Sequence, residues 1–151
     1  MIKSPFGGQM NIYFSCSITG GRQDQQIYEK IVSFLIEEGH DVPTAHLAFI
    51  DMMAGESIMN AVDVYRRDLG WVSECDVLIA EVSTPSHGVG YEIAAAIFQG
   101  KKVMCCHHKD KKISKIISGN TSENICIFAY TNEAELITEI GKFLRNSARS
   151  E

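Results

Sequence analysis

The chain has 151 residues, 45% of them hydrophobic and 22% charged, which is the make-up of one ordinary globular domain. That length excludes two separate ligand-binding domains, and the apolar content excludes a disordered tail. A net charge of −5, from 14 basic and 19 acidic residues, argues against a general binder of nucleic acid or anionic membranes. It leaves room for one small anion, because a few backbone amides hold a phosphate whatever the net charge.

Residues 1–9 have a single lysine, no apolar core and several turn formers, and read as a leader or cloning remnant ahead of a single domain over 10–147. Residues 11–16 form a short apolar run of β-formers, followed by the turn signal Thr19-Gly20-Gly21. Ile27, Ile31, Val32, Leu35 and Ile36 then recur at helical spacing over 23–38, with Gly39 as the stop. Residues 40–44 predict a weak strand, and Pro43 assigns it to a sheet edge. Residues 45–56 read as a methionine-containing loop or irregular helix. From Ser57 onward Ile58, Val62, Tyr65, Leu69 and Val72 mark an amphipathic helix. Residues 76–82 are almost continuously apolar, as a strand buried on both faces should be. The loop 83–88 leads into a helix over 89–98 that Gly100 closes. A fourth strand over 103–106, a helical turn over 113–117, a fifth strand over 125–129 and a helix over 132–145 complete the domain. Residues 148–151 are a polar tail.

Strands alternating with helices predict a doubly wound, five-stranded parallel α/β sheet of flavodoxin- or Rossmann-like type, with helices on both faces. In such sheets ligands sit beyond the carboxyl ends of the strands. That rule selects three loops: 15–22, 44–56 and 83–92.

Cys16, Cys75, Cys105, Cys106 and Cys126 are odd in number and lack framework spacing, so buried free thiols in a reducing compartment are expected. Cys105-Cys106-His107-His108 suggests zinc, but neighbours on a strand point to opposite faces and no C-x-x-C accompanies them. Neither a metal nor a cofactor is therefore expected. No secretory signal is visible, and no apolar stretch approaches the ~20 residues of a membrane helix. A soluble cytoplasmic protein is predicted, with the nucleus equally compatible.

The first loop, Ser15 to Arg22, is rich in glycine and hydroxyls, so its amides could hold a phosphate; the alternative is a plain tight turn. Gly88-Val89-Gly90-Tyr91-Glu92 begins like a dinucleotide fingerprint, but it lacks the third glycine and follows the wrong strand. It places Glu92 one turn into a helix at the ligand edge, either as a functional carboxylate or as an acid favoured by the helix dipole. Asp68 lies roughly 80° off the apolar axis of its helix. There it either reaches over the sheet edge or pairs at the surface with Arg66 or Arg67. Tyr13 either projects its hydroxyl into the same cleft or is a core aromatic.

Together, Tyr13-Phe14, Ser17-Ile18-x-Gly20-Gly21-Arg22, Asp68-Leu69-x-Trp71 and Ala80-Glu81-Val82-x-x-Pro85-Ser86-x-Gly88-Val89-Gly90-Tyr91-Glu92 resemble the 2'-deoxynucleoside 5'-phosphate N-hydrolases, within the nucleoside 2-deoxyribosyltransferase superfamily. The resemblance spans residues 11–145. It implies cleavage of the N-glycosidic bond of a 2'-deoxynucleoside 5'-monophosphate, releasing a base and 2-deoxyribose 5-phosphate. It further implies Glu92 as the catalytic carboxylate, Asp68 as its acid/base partner and Tyr13 as the residue orienting them. Cys16, Ser17, Ile18, Thr19, Gly20, Gly21, Arg22, Ser86 and Gly88 would surround the substrate and its phosphate. Ser122 is the candidate for a serine that the neighbouring subunit of a homodimer lends to a shared site. These hydrolases commonly have glycine where Cys16 stands and arginine where Thr19 stands. Two other functions fit the same pattern: a transferase exchanging bases through the same intermediate, and a non-catalytic nucleotide-binding module.

Overall fold

Successive side chains on a strand point to opposite faces, so a strand apolar throughout needs cover on both sides. The computed structural model, which describes residues 8–18, 24–49 and 58–148, shows such a sheet. Four parallel strands, β1 (Ile12–Ser15), β2 (Val77–Glu81), β3 (Lys102–His108) and β4 (Ile125–Tyr130), lie in that order. The register sets Tyr13 beside Leu78, Leu78 beside Val103 and Val103 beside Ile125.

Alternation divides the core in two. Ile12, Phe14, Ile79, Met104 and Cys106 face α1 (Gln25–Glu37) and α5 (Glu133–Ala148), meeting Tyr28, Ile31, Leu35, Leu136 and Ile140. Tyr13, Leu78, Ala80, Val103 and Cys105 face α2 (Ala61–Glu74) and α3 (His87–Phe98), meeting Val72, Val89, Ile93 and Ala96. Each fully buried Leu, Ile or Phe contributes about 1.5–3 kcal/mol relative to exposure. The strands are parallel, so β1 and β2 both deliver their carboxyl ends to one edge. Gly39 (φ 89°) and Gly100 (φ 75°) end α1 and α3 in the left-handed conformation that glycine adopts without strain. A short α4 (Lys115–Ser118) lies between β3 and β4.

The strand expected over 40–44 is present only as one bridge between Asn11 and Asp41, so among the described residues the sheet has four strands where five were expected. Pairing starts normally: the Asp41 amide donates to Met10 O at 2.9 Å, and the Asp41 carbonyl accepts from Ile12 N at 2.8 Å. Pro43 then has no N–H to continue the ladder. A side chain replaces the missing backbone. Thr44 Oγ1 accepts from Phe14 N at 3.0 Å and donates to Phe14 O at 2.8 Å. A 3₁₀ turn, Ala45–Ala48, follows; residues 50–56 of the second expected loop lie outside the described residues.

Two more expectations change at the surface. All five cysteines are free, but Cys126 is exposed rather than buried, because β4 is the outer strand. The apolar stripe of α2 also reaches the core only at its end. Val72 is fully buried, whereas Ile58, Val62 and Tyr65 are 86%, 56% and 56% exposed.

Thr44→Val removes both bonds to Phe14 at nearly constant volume and leaves a buried N–H unpaired. We expect a loss of about 1–3 kcal/mol in urea unfolding, with an unchanged m-value.

Candidate active site

The site is assembled by strand alternation and two helix caps. Tyr13 and Ser15 are two residues apart on β1 and therefore share the α2/α3 face. Ser86 caps α3 by accepting from Val89 N at 3.3 Å, which starts the helix at the carboxyl end of β2. Glu92 then lies in the second turn, directed back towards β1. Ser15 Oγ donates to Glu92 Oε2 at 2.9 Å, and the Tyr13 hydroxyl is also hydrogen-bonded to this carboxylate.

Asn60 caps α2 by accepting from Asp63 N at 2.9 Å, and the helix carries Asp68 to the same cleft. Asp68 is 9% exposed, and its Oδ1 accepts from Arg67 Nε at 2.9 Å. Asp68 thus lines the cleft, and its pairing with Arg67 is made in a buried setting rather than at the surface. Tyr65, Asp68, Leu69, His87, Gly88 and Glu92 border a cavity of about 360 Å³, with Tyr91 at its rim.

Burial pushes the Glu92 carboxyl up to about 7, and the negative charge of Asp68 adds to the rise. Hydrogen bonds from Tyr13 and Ser15, and the Arg67 charge, oppose it. The Tyr13 phenol is raised too, chiefly by burial and then by Glu92 and Asp68, so it remains a neutral donor. Two acids and one cation thus share a half-buried cleft in which one acid retains its proton near neutral pH.

Gly88 leaves the space over these groups open. A Cβ there would lie 3.7 Å from Glu92 Oε1 and 3.9 Å from Ser86 Oγ, ordinary contact distances. The chain itself therefore tolerates a side chain at this position, and the gap is room for a ligand. Oε1 is the Glu92 oxygen turned towards it.

A second buried carboxylate braces the loop below. Glu81 Oε1 accepts from Ser83 N at 2.6 Å, and its Oε2 accepts from the hydroxyls of Ser83 and Tyr130. Ser83 Oγ in turn accepts from His108 N at 2.9 Å, joining the ends of β2, β3 and β4. Glu81 faces the α1/α5 side, and burial raises its carboxyl above the usual range.

Of the remaining candidates, Ser86 and Gly88 stand at the start of α3, beside Glu92. Cys16 and Ser17 are buried at the end of β1, with Ile18 half-buried after them. Thr19, Gly20, Gly21 and Arg22 lie outside the described residues. Ser122 is not at this cavity within its own chain; its Oγ accepts from Asn124 N at 3.2 Å in the turn before β4. Sequence reasoning missed the role of Ser15, and it offered Arg67 only as one of two arginines that could pair with Asp68. The alternation that places Tyr13 would have found Ser15. No helical-wheel argument finds Arg67, because adjacent helix residues do not face each other. Among the described residues, no group of three or more His, Cys, Asp or Glu could hold a metal ion.

Two carboxyls at a cleft on the carboxyl edge of a parallel sheet are a pair of the kind that glycosidic-bond enzymes use. The chain belongs to the nucleoside 2-deoxyribosyltransferase family, whose model it matches over residues 12–139. It is 40% identical over 118 residues to "Putative 2'-deoxynucleoside 5'-phosphate N-hydrolase 1" of Methanococcoides burtonii, covering 78% of this chain and 97% of that one. To the 5-hydroxymethyl-dUMP N-hydrolase of Danio rerio it is 38% identical over 117 residues, 76% and 81% of the two chains. The solved CMP N-glycosidase of Clostridium botulinum shares the fold, with a TM-score of 0.67, 23% identity and coverage of 87% and 98%.

The raised carboxyl has a thermodynamic consequence. Its stabilising effect is present at low pH and is lost as pH rises through about 7, where folding must hold a desolvated anion. Glu92→Gln removes that cost. The variant should melt a few degrees above the parent at pH 8.5 and level with it below pH 4.5, by circular dichroism. A lower melting temperature at pH 8.5 would contradict the stated environment.

Proposed function

We propose that the protein hydrolyses the N-glycosidic bond of 2'-deoxynucleoside 5'-monophosphates to a free base and 2-deoxyribose 5-phosphate. The observation that carries this reading is Glu92 itself, fixed from behind by Tyr13 and Ser15 while Oε1 faces the open space over Gly88. The relatives' names point to the same bond.

In the first step Glu92 Oε1 bonds to the anomeric carbon as the carbon–nitrogen bond breaks. The electron pair leaves with the base, which takes a proton from Asp68. In the second step water attacks the anomeric carbon, Asp68 accepts its proton, and the carboxylate of Glu92 departs. Glu92 must be ionised to attack, so the proton it holds below about pH 7 passes to Asp68 before the carbon–nitrogen bond breaks, and this is the proton that Asp68 hands to the base. Tyr13 steadies the carboxylate and stands where a 2'-hydroxyl would otherwise fit, favouring the deoxy sugar. The amides opening α3, with Ser86 and the 16–22 loop, hold the 5'-phosphate at the positive end of the helix dipole. Binding energy from this unreactive end aligns the anomeric carbon.

All four deoxynucleoside monophosphates, and the nucleosides themselves, should be assayed by chromatography for released base. Charge-assisted bonds are each worth about 1.5–3 kcal/mol, so a monophosphate should be cleaved at least ~100-fold faster than its nucleoside. Glu92→Gln should lower kcat by at least ~10³-fold while still binding ligand. Equal rates with and without phosphate, together with base exchange in the presence of a second base, would favour a transferase instead.

The working unit in this reading is a homodimer. Ile58, just before α2, and Val62 and Tyr65 on it lie exposed, as do Tyr91 and Phe98 of α3 (57% and 90% exposed), an apolar face that nothing covers among the described residues. Tyr65 and Tyr91 meet edge to face at 6.4 Å and border the cavity, so a second copy on this surface would close the cleft. The segment 118–124, with the partner subunit's Ser122, supplies that closure. Light scattering should give twice the chain mass, and Val62→Asp should yield a monomer that has lost most activity. A fully active monomeric parent would refute the arrangement.

A further inference from the structure

We propose that Arg67 is a positioning residue: it clamps Asp68 through Oδ1 and thereby makes Oδ2 the oxygen that delivers the proton to the departing base. The inference deepens the hydrolase reading and rests on its assignment of Asp68.

Residues 67 and 68 are adjacent on α2, so their side chains leave the helix about 100° apart and do not meet by default. The contact exists because Arg67 curls back over its own helix. Its guanidinium lies 4.8 Å from the centroid of the Trp71 ring, one turn further on. Nη1 touches Met59 Sδ at 3.1 Å, and His46 packs edge-on against Trp71 at 5.9 Å between centroids. The planar cation is thus held between an aromatic face and a thioether, which leaves Nε aimed at Asp68 Oδ1 at 2.9 Å. Arg66, its exposed neighbour, has no such seat.

The side chains of Arg67 and Asp68 are only 18% and 13% exposed, so salt screens this pair less than a surface pair. A carboxyl oxygen that accepts from a guanidinium is the poorer site for a proton, which moves the proton to the other oxygen. An acid must also point in one direction to transfer its proton in line. The chain His46–Trp71–Arg67 sets that direction through Oδ1. The cation also acts on Glu92, opposing Asp68's effect on the same carboxylate, while Tyr13 and Ser15 face Glu92 from β1 and His87 from α3.

The test compares Arg67→Met and Arg67→Gln with the parent on two substrates. One is a natural deoxynucleoside monophosphate; the other is 4-nitrophenyl 2-deoxyribose 5-phosphate, whose leaving group needs no proton. General acid assistance is worth about 10²–10⁴-fold, so both variants should lose at least ~30-fold in kcat on the natural substrate with little change in KM. On the activated substrate the loss should fall below about threefold. Equal losses on both substrates, or a loss confined to KM, would overturn the proposal. If the parent cleaves neither substrate, the hydrolase reading fails, and a carbon-detected NMR titration of Glu92 then decides on Arg67. Its midpoint should rise above that of the parent in both variants, and an unchanged midpoint would reject the placement of the guanidinium.

Discussion

The structure depends on one arrangement: a carboxylate on α3 held against β1 by two hydroxyls and denied full hydration by its surroundings. Glu92 reaches that place because Ser86 starts the helix at the carboxyl end of β2 and because Tyr13 and Ser15 share a face of β1. Desolvation alone would neutralise it. The hydroxyls and Arg67 lower its carboxyl while burial and Asp68 raise it, and the balance falls near neutrality. A carboxyl tuned there can ionise as a nucleophile yet is not permanently masked by a cation.

The cost of that arrangement is distributed over the fold. β1 is a short strand, braced on its outer side by the Thr44 side chain instead of a full neighbouring strand. The loop that launches α3 is fastened underneath by Glu81, Ser83 and Tyr130, a fully hydrogen-bonded buried network joining three strand ends. α2 gives up burial of its first apolar turns to carry Asp68 and Arg67 over the sheet edge, which leaves Ile58, Val62 and Tyr65 exposed.

Much of this was legible in the residues. β2 reads as a buried strand because 77–80 is apolar on both faces, and α1 and α5 follow from their periodicity and end signals. The strand at 40–44 was only half legible: Pro43 argued for an edge position, but nothing local shows that Thr44 Oγ1 would take over the ladder. The stripe from Ile58 to Val72 correctly signalled a helix. Periodicity does not say whether its apolar face meets the chain's own core or another molecule. At the site, position in the predicted elements left Glu92, Asp68 and Tyr13 open between functional and plain structural roles, and only the family resemblance singled them out. Ser15 needed only the alternation rule, whereas the Arg67–Asp68 contact depends on a side-chain curl over Trp71 that sequence spacing does not encode.

The central claim is that the Glu92 carboxylate is the group that meets the anomeric carbon. It is tested most directly by mixing enzyme with a deoxynucleoside monophosphate, quenching in acid within milliseconds, and sequencing the digested peptides by mass spectrometry. The account predicts an adduct of deoxyribose 5-phosphate, less one water, on the peptide containing Glu92, and no adduct in Glu92→Gln. An adduct on Asp68 in the wild-type chain would contradict it.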